Sequence, residues 1–148
     1  MEEKYVLSGV YKYPSRRIRT EYEIRQWMSK KKVEEELQSK VIKKLVDMKL
    51  VNDFEYACSF VRTRNLIKPK PKKVLTLELL RKGIDKQTIH KALQEIGVDE
   101  VAAAKSLFEK NKWRWESLEE STKKRKAQEF LARKGFGWDV LKNVVGVS

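Results

Sequence analysis

Basic residues come in short blocks along this chain, and these blocks are the part of the sequence best placed to do chemistry. Lys30-Lys31-Lys32, Arg62-Thr63-Arg64, Lys72-Lys73, Arg81-Lys82, Lys123-Lys124-Arg125-Lys126 and Arg133-Lys134 punctuate stretches of apolar residues at helical spacing. The chemistry on offer is neutralisation of anions: lysine as a point charge, arginine as a planar fork for carboxylate or phosphate. Four of the six blocks also fall where a helix should end, and there a cation offsets the helix dipole. Dipole compensation alone does not require a net charge of +13, from 34 Lys and Arg against 21 Asp and Glu. The excess runs through every third of the chain, so the folded body itself is basic and its partners should be polyanionic. The candidate binding residues are Arg62, Arg64, Lys72, Lys73, Arg81, Lys82, Arg133 and Lys134. Trp113 and Trp115, set beside Lys112 and Arg114, are candidate stacking contacts or packing residues.

Catalytic chemistry has little to stand on. Cys58 and His90 are the only cysteine and histidine, so no intramolecular disulfide and no Cys/His zinc site can form. Cys58 lies on an apolar stripe and reads as core, while His90 reads as solvated. The phosphate-loop pattern Gly-x-x-x-x-Gly-Lys is absent. Glu34-Glu35-Glu36 and Glu119-Glu120 are explained as first turns of helices, where carboxylates complement the dipole. The expectation is a protein that is not an enzyme and uses no cofactor or metal.

The elements that must position the cations are helices. Thr20 and Glu23 form a capping-box signature ahead of Ile24, Trp27 and Met28. Leu37, Val41, Ile42, Leu45 and Val46 make the next stripe. Asn52 or Asp53 caps a third helix with Phe54, Ala57, Cys58 and Val61 inward. Lys68-Pro69-Lys70-Pro71-Lys72-Lys73 is a connector, since two prolines so close cannot sit inside a helix. Beyond it come Leu75, Leu79 and Leu80, then helices capped by Asp85 (Ile89, Ala92, Leu93, Ile96) and Asp99 (Val101, Ala104, Leu107, Phe108). A polar connector over 111–122 leads to a helix over about 123–134 with Ala127, Phe130 and Leu131 inward, and a last one uses Val140, Leu141, Val144 and Val145. Before all this, Tyr5, Leu7, Val10 and Tyr13 suggest a short extended piece, limited by Ser8-Gly9 and Pro14-Ser15.

The pattern repeats. Arg81-Lys82-Gly83-Ile84 returns as Arg133-Lys134-Gly135-Phe136. A second register aligns Ile24, Met28, Val33 and Ile42 with Leu75, Leu79, Ile84 and Leu93. A third aligns Asp53, Ala57 and Val61 with Asp99, Ala103 and Leu107. The expected architecture is all-α, an elongated tandem array of three three-helix repeats. The boundaries are drawn as a lead-in over 1–19 and repeats over 20–67, 68–112 and 113–148, the last one short of a helix. Met1-Glu2-Glu3-Lys4 lacks the apolar core of a signal peptide, and no apolar run is long enough to span a bilayer. A cytoplasmic, monomeric protein with no membrane partner is expected.

Three phrases together resemble the bacterial RecX regulators of the RecA recombinase. They are Leu50-Val51-Asn52-Asp53-Phe54 with Ala57, Phe60-Val61 and Arg64; Glu78-Leu79 with Lys82-Gly83-Ile84; and Phe130-Leu131-Ala132-Arg133-Lys134-Gly135-Phe136. Their order and spacing cover about residues 20–145. The resemblance implies a non-catalytic protein that binds in the groove of the RecA–DNA filament, bridges protomers and limits strand exchange and ATP hydrolysis. It leaves open whether DNA inside the filament is touched as well. Two departures stand out: Lys68-Pro69-Lys70-Pro71 replaces the family's Gly-Pro loop, and Lys32 stands where the later repeats have Gly83 and Gly135. From the residues alone, a stand-alone basic helical protein that binds DNA or RNA is the alternative.

Overall fold

In a computed structural model the chain is all-helical, and the structure describes residues 2–12 and 19–146. Among these there are nine α-helices and no strand: α1 (Glu3–Lys12), α2 (Glu21–Lys30), α3 (Glu35–Asp47), α4 (Asp53–Ile67), α5 (Lys72–Arg81), α6 (Lys86–Ile96), α7 (Glu100–Asn111), α8 (Glu120–Arg133) and α9 (Trp138–Val144). A 3₁₀ helix over Lys112–Trp115 follows α7.

Polar side chains at the helix starts do what the sequence expects of them. Thr20 accepts from the Glu23 N–H while Glu23 accepts from the Thr20 N–H, which completes the capping box. Asp85 and Asp99 cap α6 and α7. At α4 the cap is Asn52, which leaves the Asp53 side chain free for another task.

Three separate apolar cores form. Val6, Val10, Ile24, Met28, Val33, Val41, Ile42, Leu45 and Val51 close the first, from α1, α2 and α3. Ala57, Cys58, Val61, Leu75, Leu79, Ile84, Ile89, Ala92 and Leu93 close the second, from α4, α5 and α6. Ala103, Ala104, Phe130, Leu131, Phe136 and Leu141 close the third, from α7, α8 and α9. The units therefore divide near residues 52 and 98, not at 67 and 112. The proline-rich connector lies inside the second unit, and the third has all its helices.

The N-terminal segment is also not extended. Val6 and Val10, four apart, are buried on one face of α1, which packs against α3. Of the residues that suggest an extended piece, Val10 is buried in the helix and Tyr5 is exposed. Tyr13, Pro14 and Ser15 lie outside the described residues. Val46 and Val101 are exposed, because each sits at the margin of its stripe. Helix α8 begins at Glu120, one turn earlier than expected, and Lys72 and Lys73 belong to the first turn of α5.

The second helix of each unit ends in the same way. Val33 N–H donates to the Met28 carbonyl at 3.0 Å, Ile84 to Leu79 at 3.2 Å and Phe136 to Leu131 at 3.2 Å, each spanning a residue with positive φ. This is the Schellman turn, with its apolar contact buried in every case. Gly83 (φ 85°) and Gly135 (φ 102°) adopt the left-handed conformation freely, but Lys32 (φ 60°) does so at a steric cost of about 1 kcal/mol.

These turns are where consecutive units meet. A Cβ on Gly83 would lie 2.1 Å from Tyr22 Cβ, so the first turn of α2 rests directly on the end of α5. Beside it the buried Thr20 hydroxyl donates to the Lys82 carbonyl at 2.8 Å, and the Glu21 N–H donates to Asp53 Oδ1 at 3.0 Å. The second joint repeats the first. A Cβ on Gly135 would lie 2.8 Å from Val74 Cγ2 and 3.2 Å from Pro71 Cγ, and the Lys72 N–H donates to Glu100 Oε1 at 3.1 Å. Units joined end to end leave much surface open: the chain exposes 10142 Å², against about 7,900 Å² for a compact monomer of its 17.5 kDa.

Two glycine substitutions separate backbone strain from docking. Gly97 has φ 80° and ψ 148°, a backbone conformation almost confined to glycine, and nothing within 4 Å of a would-be Cβ, so Gly97→Ala should cost backbone strain alone, about 1–3 kcal/mol. Gly83→Ala adds the collision with Tyr22 and should cost about 2–4 kcal/mol. Chemical denaturation of the two variants measures the difference, and equal losses would show that α2 does not rest on Gly83.

Candidate functional site

The joints decide where the cations stand. Helix α5 carries Lys72 and Lys73 at its start and Arg81 and Lys82 at its end, about 15 Å apart by helical rise. Its start lies on Gly135 through Pro71 and Val74, so Lys72 and Lys73 belong to the same joint as Arg133 and Lys134. Its end lies under Tyr22, so Arg81 and Lys82 mark the first joint. Arg81, Arg133, Lys72 and Lys73 are exposed, and none makes an ion pair within the described residues. Lys82 is half-buried, its carbonyl engaged by Thr20. Arg62 is exposed on α4.

Arg64 does not belong with them. Its guanidinium bonds Glu78 Oε2 at 2.8 Å and sits 5.1 Å from the centre of the Phe60 ring, while Lys70 bonds Glu78 Oε1 at 2.9 Å. Glu78 is only 17 % exposed. Burial works to raise its pKa, but the hydrogen bonds from Lys70 and Arg64, with their charges, outweigh it and hold the carboxyl below its ordinary value. This triad ties α4 and the proline connector to α5, so Arg64 is a structural cation. Spacing on α4 could not reveal that, because Glu78 lies fourteen residues away in another helix.

Asp53 shows the opposite balance. Burial pushes its carboxyl up despite the Glu21 N–H, and the nearby charges of Glu21, Asp85 and Glu23 add to the rise. Its oxygen serves the first joint by accepting the Glu21 N–H.

The aromatic pair splits. Trp115 packs edge-on against Phe130 at 5.6 Å between centroids, on the third core. Trp113 is 66 % exposed, with Arg114 at 5.8 Å from its ring centre. Arg114 also lies 5.4 Å from the Phe130 ring, and Lys134 lies 5.5 Å from it. The i, i+4 spacing of Phe130 and Lys134 was the available signal for this cation–aromatic group. Cys58 is buried and His90 exposed, as the stripes require. Among the described residues no group of three or more His, Cys, Asp or Glu is placed to hold a metal ion, and no helix is long and apolar enough to cross a membrane.

Three-helix units joined through helix-end turns, with cations at each joint, define a tandem-repeat binding protein. The chain belongs to the RecX family. The family's model for its second three-helix domain matches residues 52–93 and that for its third matches 98–145, together more than half of the chain and in step with the second and third cores. The chain is similar to the regulatory protein RecX of Bacillus cytotoxicus, 37% identical over 130 residues, 87% of this chain and 48% of that protein. It is also similar to the regulatory protein RecX of Leuconostoc mesenteroides, 31% identical over 140 residues, 94% of this chain and 52% of that protein. The chain thus spans about half the length of these curated relatives. The crystal structure of RecX from Lactobacillus salivarius superposes with a TM-score of 0.89 at 29% identity, over 97% of this chain and 94% of that one.

Glu78 and Asp53 should titrate with opposite effects. The lowered pKa of Glu78 means that its contribution is complete above the ordinary 4.5 and is lost as pH falls through the lower folded value. The raised pKa of Asp53 means that stability declines as pH rises from the ordinary 3.8 through the higher folded value. At neutral pH, Glu78→Gln should therefore destabilise by about 1–3 kcal/mol, leaving Arg64 and Lys70 facing each other without their counter-ion. Asp53→Asn keeps an acceptor for the Glu21 N–H and should be neutral or mildly stabilising. Denaturant titrations at pH 7 and pH 4 check both signs.

Proposed function

We propose that this chain is a non-catalytic regulator of the RecA recombinase that lies in the groove of the RecA–DNA filament and limits ATP hydrolysis and strand exchange. Membership of a family of regulatory proteins supports the class of activity. The observation that carries the finer reading is the recurrence of basic pairs, with Arg81, Arg133 and Lys134 exposed, at two successive joints of a repeating scaffold. A filament is itself a repeat, and an array with contacts at two joints can touch more than one protomer. Each exposed charged contact contributes only about 0.2–1 kcal/mol, so binding has to come from several at once. Such a protein locks or caps the filament by occupancy, with no bond made or broken.

The second reading, binding to DNA or RNA alone, is favoured by one feature: the exposed Trp113 beside Arg114 and Lys112, an arrangement that accepts a stacked base. Single-stranded DNA binding with a steep salt dependence that RecA does not change would favour it.

Reversing Arg81, Lys82, Arg133 and Lys134 to Glu tests the filament reading. The helical content should be kept. Suppression of RecA ATP hydrolysis on single-stranded DNA should need well over tenfold more protein, since four contacts are lost and four repulsions added at about 0.5–1 kcal/mol each. Suppression at the wild-type concentration would show that the basic joint ends are not the contact.

A further inference from the structure

The second helices of the three units, α2, α5 and α8, each turn one stripe away from their own core. Counted back from the Schellman turn, the stripe holds Tyr22, Gln26 and Lys30 on α2, Lys73, Leu77 and Arg81 on α5, and Arg125, Glu129 and Arg133 on α8. All of these side chains are exposed. On α2 and α8 the middle residue is polar and satisfied within its own stripe. Gln26 Nε2 donates to the Tyr22 hydroxyl at 2.8 Å, and Arg125 bonds Glu129 Oε1 at 3.1 Å. On α5 the middle residue is Leu77, 47 % exposed. Lys73 and Arg81 stand four residues to either side of it, about 6 Å each way by helical rise. Neither makes an ion pair among the described residues.

Helix α5 breaks two local rules on this one face. A helix start favours carboxylates, and α2 and α8 have Glu21, Glu23 and Glu120 in their first turns. The first turn of α5 has no acidic residue and carries Lys72 and Lys73 against the dipole. Glu100 of the next unit accepts the Lys72 N–H at 3.1 Å without an ion pair to either lysine side chain. The second departure is a leucine at the centre of an outward stripe, where the folded chain gives it little burial. A lone exposed leucine is ordinary. This one lies one turn beyond a cation that opposes its own helix, and such local conflicts belong at functional surfaces.

The three side chains together select a class of partner. Phosphate takes the cations but gains nothing from a leucine between them, and Leu77 has no ring on which a base can stack. A protein surface with an apolar hollow between two carboxylates meets all three. We propose that Leu77 is the apolar anchor of the filament contact, seated in such a hollow on a RecA protomer, with the rim carboxylates on Lys73 and Arg81. Resting on the filament reading above, this places protein rather than DNA against the middle of the array. Arg81 belongs to the first joint and Lys73 to the second, so the anchor lies between the two places of charge contact. An apolar centre within a charged rim is the common anatomy of a protein interface.

Leu77→Gln in the full chain tests the anchor, with Leu77→Met as the conservative variant. Gln26 already holds the same place on α2, so both variants should keep the wild-type circular dichroism and melting temperature. Suppression of RecA ATP hydrolysis on single-stranded DNA should need about tenfold more of the Leu77→Gln protein, the scale of losing one central contact residue. Leu77→Met should act close to the wild-type concentration. Fluorescence anisotropy with the same DNA in the absence of RecA should give equal affinities for all three proteins. Full suppression by Leu77→Gln at the wild-type concentration overturns the anchor, while the filament reading still stands or falls on the charge reversals at Arg81, Lys82, Arg133 and Lys134. A matching loss of DNA affinity without RecA assigns the face to DNA. A wild-type dimer in sedimentation equilibrium that Leu77→Gln dissolves assigns it to a second copy. Either result overturns the proposal. If the wild type leaves RecA unaffected, the filament reading fails and the anchor with it.

Discussion

The rest of this structure depends on the close approach of one helix start to one helix end. Each unit is too small to hold its neighbours by a shared core, and the three cores are indeed separate. What joins them is the backbone of a left-handed turn without a side chain, onto which the start of the preceding unit's second helix settles. The contact is small, but its geometry is strict: a buried hydroxyl on a carbonyl, a carboxylate on a helix N–H, and Tyr22 against Gly83. Packing at this density leaves no room for one added carbon.

The same turns fix the charge pattern. A helix that ends in a Schellman turn carries its last cations one and two residues before the glycine. Joining units through that turn therefore places a basic pair at every joint. Arg81-Lys82 and Arg133-Lys134 are parts of the joint seen from the solvent side, and Lys72-Lys73 joins the second pair because α5 spans from one joint to the next. Structure and candidate function thus share one device. This is why the phrases that carry the family resemblance mix core residues (Ala57, Val61, Leu79, Leu131), joint residues (Asp53, Lys82, Gly83, Gly135) and the Arg64–Glu78 pair.

The helices, their caps and the repeat were legible because each leaves a local mark: a stripe at three-to-four spacing, or an oxygen three residues ahead of the N–H it accepts. The unit boundaries were misplaced for a physical reason. The registers pairing Asp53 with Asp99 and Arg81 with Arg133 already matched α4–α6 to α7–α9, but the two prolines looked like a domain linker. In the fold Pro71 is buried as the entering residue of a joint, and Lys70 is bound to Glu78. A rigid connector within a unit and a flexible one between units have the same composition. Arg64 reads as a binding cation in the sequence because its counter-ion comes from another helix, and the α1 segment reads as extended because Tyr5, Leu7, Val10 and Tyr13 are too few to fix a period. Tyr22 and Thr20 gave no sign of their role, since what they touch is sixty residues away.

Contact across both joints is the central claim, and amide hydrogen exchange measures it most directly. The turn amides of Gly83–Ile84 and Gly135–Phe136, with the first turn of α5, should exchange more slowly in the presence of RecA filaments on single-stranded DNA than in the free chain. Both turns should gain protection together and at the same filament concentration. Protection confined to one unit, or to the segment around Trp113 with both glycine turns unchanged, would contradict it.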